Sequence, residues 1–383
     1  MLTLFIFKEQ NSLMKLKKVQ EGKVTFFAPE GRIYDASVFY NPEGELNRDL
    51  SVSALQTFQK EFKNKITVCD ALSGTGIRGL RYAKEVSGIK EVVLNDKNPL
   101  AIKLIRRNIK ENKLGNKCIA SKEDANILLR KNVFIVIDLD PFGSPNIYTD
   151  STARSIYHKG FLAVTSTDQA ALTGTYPEAG LRKYGIKPIK TEFYNELGIR
   201  ILISFIILAL ARYDRAFIPV LSFASKHYYR VFGRIEHAGK ISNLLKNFRY
   251  VSYCSCGNRM IGTREKCFCG KDFKLIGPIF IGNISDKVFC KKVLADVKKR
   301  DFKKEEEKLL RLIIEEAEMP AFYYDLHHLA KIFKKEPPRI EVLMKKLKSK
   351  GFKVSRTHFC PTAIKTDASL KEVLFGFKAQ ESL

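Results

Sequence analysis

Residues 65–85 read KITVCDALSGTGIRGLRYAKE, and this stretch decides the fold. A short β-branched run over 66–69 ends on an acid, Asp70; Gly74, Gly76 and Gly79 follow, and helical spacing continues to Lys84. Strand, glycine-rich turn and helix in that order open a βαβ unit. Working outward, 91–94 is a second strand stopping at Asn95-Asp96, with a helix over about 99–112. A buried strand over 133–139 closes at Asp140, and 161–165 and 217–221 are further apolar strands. Continuous apolar strands separated by helices predict a parallel sheet covered on both faces. Ligands of such sheets bind where strands end and helices begin, which is where Asp70, Asp96 and Asp140 stand.

The bulk properties set limits on this reading. A chain of 383 residues with 45% hydrophobic and 28% charged residues has the composition of a soluble globular protein, and its length predicts two domains. Its net charge of +26, from 67 Lys+Arg against 41 Asp+Glu, costs self-repulsion and points to a polyanionic partner. Nucleic acid is the leading candidate; charge alone does not separate RNA from DNA or from an anionic membrane surface. The most apolar run, 201–211, is about half the length of a bilayer crossing and lies between Arg200 and Arg212, so it is expected to be a core helix and no membrane partner is expected. No cleavage site follows MLTLFIFK, and Met14 opens MKLKKVQEGKV like a natural start, which would make 1–13 an extension. The eight cysteines then belong to a reducing cytoplasm, where clustered thiols more often bind metal than form disulfides.

The glycine spacing alone suits either a dinucleotide or S-adenosylmethionine. Asp70 favours the second, because a carboxylate repels a pyrophosphate and welcomes a sulfonium and an ammonium. Asp96 is placed to accept ribose hydroxyls, the alternative being an acid at a helix start ahead of Pro99. Asp124 and Ala125 are placed to meet the adenine amine and ring.

The string Asp138-Leu139-Asp140-Pro141-Phe142-Gly143 is of the type carried by enzymes that methylate exocyclic amines. Such an amine is a poor nucleophile because its lone pair is delocalised into the ring. A carboxylate and a carbonyl accepting its two hydrogens hold the nitrogen nearer tetrahedral geometry. Asp140 is expected to be that acceptor and the proton sink, Pro141 to aim the carbonyl, and Phe142 to stack on the base. The alternative is an ordinary Asp-Pro turn after a buried strand.

Composition changes near residue 250. Cys254-Ser-Cys256-Gly and Cys267-Phe-Cys269-Gly make two hooks, which a structural zinc, two disulfides or free thiols would each explain, zinc being favoured. Cys69, Cys118, Cys290 and Cys360 are expected to be buried small hydrophobes. The run KKEEEK at 303–308 reads as a solvated helix face. Farther on, DLHHLAKIFKK and EPPRIEVLMKKLKSKGFKVSRTHF predict helix, helix, a turn at Gly351 and a strand, a winged-helix-like α+β module. Lys345, Lys346, Lys348, Lys350, Lys353 and Arg356 there would contact a nucleic-acid backbone.

From about Val19 to its end the chain resembles the archaeal and eukaryotic tRNA (guanine-26-N2)-dimethyltransferases. The strings that carry the resemblance are VFYNPEGELNRDLSV (38–52), DALSGTGIRGLRYAKE (70–85), LNDKNPLA (94–101), IDLDPFGSP (137–145), TSTDQAALTGTYPEAGLRKYG (165–185) and THFCPTAIKT (357–366). Gly44 departs from the family pattern, which commonly has methionine there. The resemblance implies a Rossmann-like class I methyltransferase domain over 14–283, with the Cys-rich module at 250–275, and a tRNA-binding domain over 284–383. It implies that Arg48 and Arg78 reach the carboxylate of S-adenosylmethionine, that Asp96, Asp124 and Ala125 contact its ribose and adenine, and that Phe39 faces Phe142 across the target base. Transfer to the N2 of guanine 26 in tRNA, once or twice, is the implied activity, with no obligate protein partner.

Overall fold

The computed structural model describes residues 15–30 and 37–379, so the extension read at 1–13 and the start at Met14 lie outside the described residues. The chain divides into two compact units between Lys131 and Asn132.

In the first unit, strands β1 (Leu16–Glu21) and β2 (Val24–Pro29) form a hairpin about Gly22, followed by a long helix α1 (Glu45–Phe62). Strand β3 (Ile66–Asp70), helix α2 (Ile77–Glu85), β4 (Ile89–Asn95), α3 (Pro99–Glu111), β5 (Cys118–Ser121) and α4 (Ala125–Lys131) then alternate. Central β4 pairs in parallel with β3 and β5. Val68, Val92 and Leu94 of the strands and Leu80 and Ile105 of the helices have no exposed surface. The hairpin is fastened by side chains: Asn108 accepts from the Phe27 amide and Asn112 from that of Thr25, while Asn108 Nδ2 donates to Thr75 O in the glycine turn at 2.9 Å.

A buried ion network anchors α1. Arg48 donates twice to Glu21, both at 2.6 Å, and Arg81 reaches Glu21, Asp49 and Glu85. Burial alone would push the Glu21 carboxyl up, but Arg48 and Arg81 hold it below the usual range.

The second unit opens with β6 (Phe134–Leu139), α5 (Thr149–Ser155), β7 (Ile156–Ser166), α6 (Gln169–Leu172), α7 (Pro177–Tyr184), α8 (Tyr194–Ala211), β8 (Ala216–Ser225) and β9 (Tyr228–Glu236). Strands β6 and β7 are parallel, and β9 runs antiparallel between β7 and β8. The strand orders are therefore β5-β4-β3 in one unit and β6-β7-β9-β8 in the other, mostly parallel with one reversed strand next to the edge. Helix α8 starts earlier than its apolar run and is long and apolar enough for a bilayer by composition, yet most of it is buried inside the fold.

Helix α9 (Ile241–Leu245) leads to β10 (Phe248–Tyr253), β11 (Arg259–Ile261) and β12 (Lys274–Phe280), an antiparallel sheet of order β11-β10-β12. Next come α10 (Lys287–Val297), α11 (Lys304–Glu316), β13 (Tyr324–Asp325), α12 (Leu326–Phe333), β14 (Lys335–Glu336), α13 (Ile340–Ser349), β15 (Val354–Arg356), β16 (Ala363–Thr366), α14 (Leu370–Leu374) and β17 (Lys378–Ala379). Helix α13, Gly351 at φ 87° and β15 reproduce the predicted helix, turn and strand. Of the run 303–308, Lys303, Lys304, Glu305 and Lys308 are exposed as expected, and Glu306 of α11 departs from the solvated face in being buried.

Buried charges tie this last part to α8. Glu196 Oε1 accepts from Lys365 at 3.0 Å and from Arg200, and Glu316 accepts from Thr357 and pairs with His358 and Lys365. Against burial, which raises it, His358 and Lys365 hold the Glu316 carboxyl down to about 2. Thr357, His358 and Lys365 all belong to the string 357–366, so that string holds the fold together.

Candidate active site

Three turns of the first unit carry the acids read from the sequence. Buried Asp70 accepts from the Gly79 amide at 3.1 Å, so it fixes the start of α2. A Cβ on Gly79 would stand 2.9 Å from Leu94 Cδ2 and 3.2 Å from Asp70 Oδ2, so only glycine lets helix and strand approach this closely. Gly74 has φ 55°, and a Cβ there would lie 2.9 Å from the Phe39 carbonyl. Gly76, at φ 82°, caps α2.

Asp96 follows β4 and bridges two turns: Oδ2 accepts from the Gly74 amide at 3.0 Å and Oδ1 from the Asn98 amide at 2.8 Å. A carboxylate has about four acceptor directions, so these two leave it capacity for hydroxyl donors. Exposed Asp124 accepts from the Asn126 amide at the head of α4, beside buried Ala125. Asn95, which sequence reasoning missed, is buried and binds Ala71 O and both backbone groups of Glu123, joining the turns after β3, β4 and β5. Its signal was visible: an amide at a strand end beside an acid.

The two arginines have protein partners. Arg78 donates to Asn47 Oδ1 at 3.0 Å and Ser51 Oγ at 3.1 Å; Arg48, besides its fork on Glu21, donates to Asn41 O at 3.1 Å. A Cβ at Gly44 would stand 2.7 Å from Nη1 at the tip of the Arg48 side chain. Phe39, in the same unit, is partly exposed.

In the second unit β6 delivers the acidic string. Its two acids differ sharply. Asp138 is buried and gripped by Arg230 of β9 through two bonds of 2.9 and 2.6 Å, with Arg230 also donating to Thr165. Asp140 lies beyond the strand end and is half-buried, Pro141 is buried, and the Phe142 ring is 69% exposed. Gly143, at φ 79°, closes the loop: its amide donates to Thr167 Oγ1 at 2.7 Å and its carbonyl accepts from the Thr167 amide at 3.0 Å. Thr167 was not singled out from the sequence, although it lies in the quoted string 165–185. The same string supplies Ser166, against Tyr184 at 3.2 Å, and Asp168, paired with Lys183 at 2.6 Å. Burial pushes the Tyr184 hydroxyl up to about 12, so it stays a donor at neutral pH.

The two cysteine hooks, also in the second unit, come together. The Sγ atoms of Cys254, Cys256, Cys267 and Cys269 lie within 4.8 Å of one another, with 3.5 Å between Cys254 and Cys269 and 3.6 Å between Cys256 and Cys267. A disulfide needs about 2.05 Å; four sulfurs at about 2.3 Å from one ion stand roughly 3.8 Å apart. The residues thus fit a tetrahedral all-sulfur site. The hooks are built alike: the Gly257 and Gly270 amides donate to Cys254 O and Cys267 O, both at 2.9 Å. Asn258 Nδ2 donates to Cys267 Sγ at 3.3 Å, which suits a thiolate. The other cysteines behave as read, Cys69, Cys118 and Cys290 being buried and Cys360 partly so.

Over residues 16–376 the chain matches the model of a family described as N2,N2-dimethylguanosine tRNA methyltransferase. It is 39% identical to the tRNA (guanine(26)-N(2))-dimethyltransferase of Methanosphaera stadtmanae over 370 residues, covering 93% of this chain and 95% of that one. The enzyme of the same name from Methanothermobacter thermautotrophicus is 39% identical over 369 residues, with 93% and 97% covered. Among solved structures, Trm1 from Pyrococcus horikoshii in complex with S-adenosyl-L-methionine superposes with a TM-score of 0.86 at 33% identity, covering 95% of this chain and 100% of that one.

Proposed function

The chain belongs to the N2,N2-dimethylguanosine tRNA methyltransferase family, and from that premise we propose how its own residues carry the reaction. It is an S-adenosylmethionine-dependent enzyme that methylates the exocyclic N2 of a guanine in tRNA, guanine 26 in the relatives' name. Bound S-adenosylmethionine supplies an electrophilic sulfonium methyl, whose transfer forms the N–C bond, breaks the S–C bond and frees one amine proton.

Asp140 accepts a hydrogen from the guanine amine and takes the proton as the N–C bond forms. The single observation that carries this is the division of labour between the two acids: Asp138 is consumed by Arg230, and Asp140 stands past the strand end. Pro141 directs the carbonyl acceptor, the exposed ring of Phe142 stacks on the base, and Phe39 is a second aromatic that the family resemblance assigns to the base. The monomethylated amine keeps one hydrogen, so the same acceptor serves a second transfer.

Asp96 receives the ribose hydroxyls, Asp124 and Ala125 the adenine, and Arg48 and Arg78 the donor's carboxylate. Asp70, Gly74 and Gly76 shape the turn against it. Asp96→Ala is expected to weaken S-adenosylhomocysteine binding by about tenfold or more, the value of charge-assisted hydrogen bonds of roughly 1.5–3 kcal/mol. Calorimetric titration measures this, and unchanged affinity removes Asp96 from the donor site.

The four hook cysteines hold a structural zinc. One zinc per chain by atomic emission is expected, with Cys256→Ser losing the metal and melting several degrees lower. A metal-free purified protein with an unchanged melting temperature counts against it. We infer a cytoplasmic enzyme and read residues 284–383 as its tRNA-binding domain, on the strength of a tRNA substrate and the lysines of that segment. Nucleoside mass spectrometry of tRNA incubated with protein and methyl donor tests the whole reading. N2-methyl- and N2,N2-dimethylguanosine are expected; unmodified guanosine overturns it.

A further inference from the structure

Two phenylalanine rings far along the second unit have no role in the chemistry above. Phe268 is the middle residue of the second cysteine hook and is 51% exposed. Phe375, just past α14, is 65% exposed. Each ring lies under an ammonium group: Lys371 Nζ is 5.3 Å from the Phe268 centroid, and Lys350 Nζ is 5.1 Å from that of Phe375. The Phe375 amide donates to Lys371 O at 3.2 Å across the single turn of α14, so positions 371 and 375 lie one above the other on the same side of that turn. Lys346 of α13 closes the group by donating to Phe375 O at 2.9 Å. Glu372 brings an acid to this group, paired with Lys350 at 2.9 Å.

We propose that this group of residues, Phe268, Phe375, Lys346, Lys350 and Lys371, takes an unstacked base of the tRNA other than the guanine being methylated, together with its flanking phosphates. A base has an apolar face and lies on a charged backbone. Exposed aromatic rings bordered by ammonium groups match both features, the rings by stacking and the lysines by displacing counterions. The excess positive charge of the chain, +26, favours a polyanion over a protein for this surface. The backbone under each ring is set, by the hook at Phe268 and by the end of α14 at Phe375, and a phenylalanine has only two side-chain torsions to order on binding. The inference rests on tRNA being the substrate and adds a recognition site built from residues outside the catalytic loop.

The test uses the full chain and an unmodified tRNA substrate. The pair Phe268→Ala, Phe375→Ala is expected to raise the tRNA dissociation constant and KM by about ten- to hundredfold. Its kcat at saturating tRNA and its affinity for S-adenosylhomocysteine should stay at wild-type values. The triple Lys346→Gln, Lys350→Gln, Lys371→Gln should flatten the dependence of log Kd on log salt by about 2. The conservative pair Phe268→Tyr, Phe375→Tyr should keep wild-type affinity, since the ring face remains. Wild-type tRNA affinity in the alanine pair overturns the proposal. So does equal loss in the tyrosine pair, which would make the rings struts of the hook, and so does loss of binding to anionic vesicles with tRNA binding intact. Failure of the parent reading looks different: the wild-type protein itself would leave tRNA unmethylated.

Discussion

Asp140→Ala is expected to lower the rate of methyl transfer by about 10²- to 10⁴-fold, the usual worth of a positioned proton acceptor, with tRNA and S-adenosylhomocysteine binding intact. The cost falls on kcat because the carboxylate acts on the amine as its lone pair is freed, an interaction stronger in the transition state than in the ground state. Asp140→Asn separates two contributions. It keeps a carbonyl acceptor in place of the carboxylate but cannot take the proton, so its rate should fall between those of the wild type and the alanine variant. Single-turnover assays at saturating tRNA read the step directly. If tRNA affinity collapses while the rate on bound tRNA survives, Asp140 is an RNA contact and the chemistry lies elsewhere. The loop should hold its shape in either variant, since Gly143 is clasped by Thr167 independently of the acid.

The second large effect is on stability. Arg230→Met strands the Asp138 carboxylate inside the sheet, where side chains of both partners are essentially unexposed. Removing one partner of a buried pair costs about 3–5 kcal/mol, far more than the pair contributes against an apolar replacement of both. Arg230→Met is therefore expected to unfold at markedly lower urea concentration, with transfer lost through the disordered loop that follows β6. The double variant Arg230→Met, Asp138→Leu should recover most of that stability, because no unpaired charge remains. Equal destabilisation of the single and double variants would mean that the pair acts through packing rather than charge.

Much of the first unit was legible because it is local. A strand, a glycine turn and a helix are written in consecutive residues, so Asp70 and Asp96 could be assigned to strand ends and Gly74 and Gly76 to the turn before any tertiary contact was known. The strands over 66–69, 91–94 and 133–139 were legible for the same reason. The hairpin β1–β2, the short strand β5 and the reversed strand β9 were not. Each is bound by partners distant in the chain: Asn108 and Asn112 hold the hairpin, β4 holds β5, and β9 is inserted beside β7. Glu306 misled for a related reason, since an acid in a charged run looks solvated until the fold buries it.

By itself the sequence determined the alternation of strands and helices, the acids at the strand ends, the paired cysteine hooks and the family. Those features depend on residue order and short-range spacing. Only the tertiary structure paired Asp138 with Arg230, brought Thr167 onto Gly143, drew four thiols from two hooks to within 4.8 Å, and gave the string 357–366 its structural task. The physical reason is that a side chain's role depends on what neutralises or buries it. For Asp138 that is an arginine 92 residues along the chain, and nothing in the spacing of neighbouring residues encodes so distant a partner.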